Sequence, residues 1–82
     1  MTKEEAVARA AQALPAHKLP DEAQATTAEL RWIELAAADP ATPGPVRDAK
    51  AWVVRFELNG GPVAELAVGD RTGKVVRVER FR

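Results

Sequence analysis

Between Ala51 and Arg82, apolar and polar residues alternate in short runs interrupted by two glycine-bearing turns. This pattern fits antiparallel strands and leaves little room for anything else. Trp52, Val54, Phe56 and Leu58 fall on one face of a strand, with Arg55 and Glu57 on the other. Asn59-Gly60-Gly61 supplies the residues that tolerate positive φ, as a tight hairpin requires. Ala64, Leu66 and Val68 carry the apolar face back along the return strand, opposite Glu65. Asp70 then opens a second turn that Gly73 closes, and Val76 and Val78 are expected to face inward again. The C-terminal third is therefore read as a three-stranded meander with one face needing cover.

The cover is sought at the N-terminus. Thr2 followed three residues later by Glu5 is a capping box, and Val7, Ala10, Ala11 and Leu14 recur at helical spacing behind it. Pro15 ends that run. A helix of about three turns is marginal alone, so it is expected to lie on the sheet. The expected core is Val7, Ala10, Leu14, Trp52, Val54, Phe56, Leu66, Val68, Val76 and Val78.

The middle of the chain is less decided. Residues 16 to 24 read as a connector. From Thr27 to Leu35 the alternation is imperfect, because Trp32 and Ile33 are adjacent and both apolar. Leu30, Ile33 and Ala37 would also suit a helix starting near Asp21, which local propensity favours. A strand with a bulge is the adopted reading, since the meander needs a partner to widen its sheet. A proline-rich loop follows at residues 39–50, containing Pro40, Pro43 and Pro45. It is long for so small a domain, and its plainest reading is a surface excursion.

Composition narrows the chemistry. The chain has 82 residues, enough for one modest core in a single domain. Twelve basic and twelve acidic side chains leave no formal net charge, so the basic excess expected of a nucleic-acid binder is missing. Arg77, Arg80 and Arg82 form no such stripe, because Glu79 interrupts them. No segment approaches the roughly 20 apolar residues that span a bilayer, and no apolar run follows Met1–Glu5 as in a signal peptide. The expectation is a soluble chain of open compartment, with no membrane insertion.

Cysteine, serine and tyrosine do not occur, and His17 is the single histidine. A nucleophile–base–orienter arrangement has almost no raw material here. One histidine and scattered carboxylates, with Asp21 and Glu22 merely adjacent, show no metal-ligand spacing. Gly44, Gly60 and Gly61 lack the surrounding phosphate-loop pattern. The expectation is no catalytic residue, no metal site and no cofactor.

Three groups of residues together resemble a known family. Glu4-Glu5-Ala6 opens the first helix, Ala51-Trp52-Val53-Val54 begins a strand, and Val68-Gly69-Asp70-Arg71-Thr72-Gly73-Lys74-Val75 forms the last turn. In this order they resemble the PepSY domain, in which a helix precedes a W-x-V strand and a terminal D-x-x-T-G hairpin. The resemblance spans most of the chain and implies an α+β fold, a helix on a small antiparallel sheet of three to four strands, PepSY- or cystatin-like. It also supports the strand reading of the middle segment. PepSY-like domains restrain secreted metallopeptidases as parts of their propeptides, or stand alone, and are usually exported. Asp70, Thr72 and Gly73 carry over as turn-forming residues alone, because the family pattern includes no catalytic residue.

Two functions of different class follow. One is a non-enzymatic binding or regulatory module with a protein or peptide partner, such as a restrained peptidase. The other is a structural module that self-associates, as a homodimer, through a sheet edge. An enzyme or ligand-binding domain of cystatin-like shape lacks the side chains it would need. The surface features expected to bind are Trp32, Pro43 in the proline loop, and Arg80 and Phe81 in the C-terminal tail.

Overall fold

The computed structural model describes residues 1–35 and 47–81. A helix α1 (Lys3–Ala13) leads through a single 3-10 turn (Pro15–His17) into four strands: β1 (Gln24–Leu35), β2 (Arg47–Leu58), β3 (Gly61–Gly69) and β4 (Val75–Arg80). All neighbours are antiparallel, in the spatial order β1-β2-β3-β4. The fold is α+β, one helix packed on one face of a four-stranded meander, as the alternation and the capping box implied.

The ends of α1 follow from its sequence. Thr2 Oγ1 accepts from the Glu5 amide while the Glu5 carboxylate accepts from the Thr2 amide, so the capping box closes in both directions. Pro15 forces the 3-10 turn, and Lys18 takes a left-handed φ of 57° as the chain reverses towards the sheet. The buried line of the helix is Ala6, Ala10 and Leu14, with Val7 half-buried. Ala11, expected on the inner face, is exposed, and Ala6 replaces it. An i, i+4, i+8 line of two alanines and a leucine lets the helix backbone approach the strands closely.

Beneath it lie Ala28, Val54, Phe56, Ala64, Leu66 and Val68, with Trp52, Leu58, Val75 and Val78 partly buried against them. Every expected core position joins this cluster except Val76. The register of β3 and β4 slips at one point, pairing Val68 with Val75 while Leu66 stays opposite Val78. That bulge turns Val75 inward in place of Val76, which is 37% exposed.

The middle segment is a strand along its full 12 residues, not a helix. The bulge lies between Ala25 and Thr27, and the register then runs unbroken past Trp32 and Ile33. The strand therefore carries a bulge as expected, and the adjacent apolar pair keeps the alternation: Trp32 and Ile33 fall on opposite faces, Trp32 exposed and Ile33 buried. Ile33 joins Ala51, Val53 and Ala67 in a second buried cluster on the face away from α1. Across the ladder, Ala51 lies opposite Arg31 and Ala67 opposite Arg77, so long charged side chains stand beside small ones. This second cluster was not expected from a strand read as half-buried.

β2 begins at Arg47, so residues 47–50 of the expected loop belong to a strand that pairs with the end of β1. The remainder of that loop, Pro43 included, lies outside the described residues.

Candidate functional site

The two turns hold the sheet together as expected. Asn59 (φ 54°) and Gly60 (φ 80°) form a two-residue hairpin between the paired Leu58 and Gly61. At the second turn Gly73 has φ 70°, and its amide donates to the Gly69 carbonyl at 2.9 Å. Thr72 Oγ1 accepts from the Lys74 amide at 3.2 Å. Asp70 does more than start this turn. Its Oδ1 accepts from the Trp52 indole N–H at 3.0 Å and lies 3.4 Å from the Met1 ammonium. The Trp52 hydrogen bond, assisted by the Met1 and Lys50 charges and opposed by partial burial, holds the Asp70 carboxyl below its ordinary value of 3.8. Two motifs 18 residues apart thus meet as one structural unit, and Trp52 is half-buried with its polar edge satisfied.

The expected surface residues fall at two separate edges. Trp32 is 70% exposed on β1, and Leu30, at 39%, is its neighbour on the same face. Both share the helix side with Ala28, since the register is regular between them. Arg80 and Phe81 lie at the opposite edge of the sheet, where β4 ends. Phe81 is half-buried, and the Arg55 guanidinium carbon sits 5.4 Å from its ring centroid, a cation–π distance. Arg80 donates to the His17 carbonyl oxygen, tying the tail to the connector. These two residues are engaged within the fold, and Trp32 is not in their patch.

The two edges differ in kind. β4 has six residues, carries Arg77, Glu79 and Arg80, and is bulged. Short length, charge and a bulge are the usual protection of an edge. β1 pairs with β2 alone among the described residues, and beyond its bulge it runs regularly from Thr27 through Ile33 with no proline or lysine. Among the described residues no strand pairs with its outer backbone groups, which alternate along the strand as a further strand would need. On the face away from α1, Glu29 and Arg31 form an ion pair along the strand. Sequence reasoning singled out Trp32 as an aromatic, but missed Leu30 beside it and the regular edge beneath both.

The chemistry elsewhere is sparse. A cleft of about 360 Å³ at the far end of β1 is lined by Glu22, Gln24, Thr26, Glu57, Leu58, Asn59 and Gly60. Glu57 is occupied there by the Thr26 hydroxyl at 3.0 Å and by Arg55 Nε at 3.5 Å. Among the described residues no three histidine or acidic side chains are grouped to hold a metal ion. No helix among them is long and apolar enough to cross a membrane.

The fold defines a class: a small helix-on-meander domain whose outer strands are β4, short and bulged, and β1, which among the described residues pairs with β2 alone. Comparison with known protein families, curated proteins and solved structures finds no match to this chain.

Proposed function

We propose that this protein is a non-enzymatic binding module whose working surface is the β1 edge, taking up an extended strand of a partner protein. The observation that carries the reading is the coincidence of a regular edge, unpaired among the described residues, with Trp32 and Leu30 exposed on one of its faces. An added strand gains main-chain hydrogen bonds from the edge, and alternate side chains on the two faces discriminate among partners. Trp32 offers a large, rigid contact area of the kind that dominates binding energy. A peptidase restrained in the manner implied by the PepSY resemblance is one partner of this kind.

Immobilised wild-type protein and two variants test the reading. Leu30→Ser combined with Trp32→Ser is expected to lose the captured partner while keeping the native circular dichroism spectrum. Arg80→Ser combined with Phe81→Ser, at the other edge, is expected to keep it. Retention by the first pair and loss by the second would move the site to β4.

A further inference from the structure

We infer that the strand β1 takes up is β1 of a second copy, paired antiparallel about a twofold axis through Leu30. This inference rests on the β1-edge reading and names its partner.

The argument is one of register. A twofold axis perpendicular to the sheet keeps each face on its own side, so residue i meets residue j and j meets i. Centring on Leu30 places Glu29 opposite Arg31 of the second copy and Arg31 opposite its Glu29. Two reciprocal ion pairs form on the face away from α1. Each would exchange the along-strand contact that Glu29 and Arg31 now make. On the helix side, Leu30 meets Leu30 of the second copy, and each exposed Trp32 meets a small Ala28. Thr27 meets Ile33, so the paired stretch ends where the bulge between Ala25 and Thr27 ends the regular edge.

The neighbouring registers fail on the same grounds. Centring on Glu29 places two carboxylates face to face, and centring on Arg31 places two guanidinium groups face to face. Only the Leu30 centre among these three joins unlike charges and covers both exposed apolar side chains. The product is a continuous eight-stranded antiparallel sheet, with both helices on one side.

Charge reversal tests the register itself. In a concentration series, the wild-type mass should rise from 8.8 kDa towards twice that value. Glu29→Arg alone places like charges together at two symmetric positions, as does Arg31→Glu alone. Each should weaken the dimer about tenfold or more. Mixed in equal amounts, these two variants should form a heterodimer. One strand then carries arginine at both positions and the other carries glutamate at both, so unlike charges meet at each site. The double variant should regain the homodimer. Isotope-filtered NMR on the unmodified protein should show Leu30 in contact with Leu30 of the second copy.

A wild-type chain that stays at 8.8 kDa throughout would overturn the inference. So would a dimer indifferent to both reversals, or a mixture of folded variants that stays monomeric. A monomer whose other partner is still lost on substituting Leu30 and Trp32 would overturn self-pairing and leave the edge reading standing.

Discussion

At the scale of single residues, Phe56 and Asp70 carry the sharpest consequences. Phe56 is 1% exposed at the centre of the helix-covered cluster. Truncating it to alanine should cost about 3–5 kcal/mol, comparable with the whole stability of so small a domain. Chemical denaturation measures this, and a Phe56→Ala protein that unfolds like its parent would invert the assignment of faces. Asp70 makes its contribution through ionisation. Its folded-state carboxyl titrates below its ordinary value of 3.8. The stability it adds is therefore present above that value and lost as pH falls through the lower folded one. Urea midpoints measured from neutrality down past this region should show the loss. Asp70→Asn should flatten that part of the profile, and Trp52→Phe should shrink it by removing the largest cause of the shift.

At the scale of elements, legibility followed the regularity of the pattern. α1 and the β2–β3 hairpin were readable because a capping box and an Asn-Gly turn each impose one local geometry. Val76 was misplaced because a bulge depends on how two strands settle against each other, which alternation along one strand does not encode. Ile33 was misread as a break in period for a related reason, since the second apolar cluster exists only once four strands are side by side. The last turn offers a test at this scale. Gly73 has φ 70°, and a Cβ added there would come within 2.9 Å of the Arg9 side chain. The Arg9 guanidinium is flexible and can yield, so the backbone conformation sets the cost of Gly73→Ala. Thermal melting should show a loss of about 1 kcal/mol, and an unchanged melt would mean that the turn relaxes without the left-handed conformation.

At the scale of the whole molecule, the decisive feature is the asymmetry between the sheet's edges. The sequence showed Trp32 as an aromatic of open role, but not which strand would be outermost. Edge position is a property of topology, and it emerged only with the order β1-β2-β3-β4. Arg80 and Phe81 likewise read as a free tail, whereas their engagement with His17 and Arg55 brings together segments far apart in the chain. The guarded edge at β4 and the regular edge at β1 together make pairing of β1 with β1 of a second copy the central claim. Amide hydrogen exchange on the wild-type protein tests it most directly. The outward-pointing amides between Thr27 and Ile33 should exchange rapidly in dilute protein and become protected as concentration rises, while β4 amides stay unchanged. Exchange along β1 that is the same at every concentration, or protection that grows along β4 instead, would contradict it.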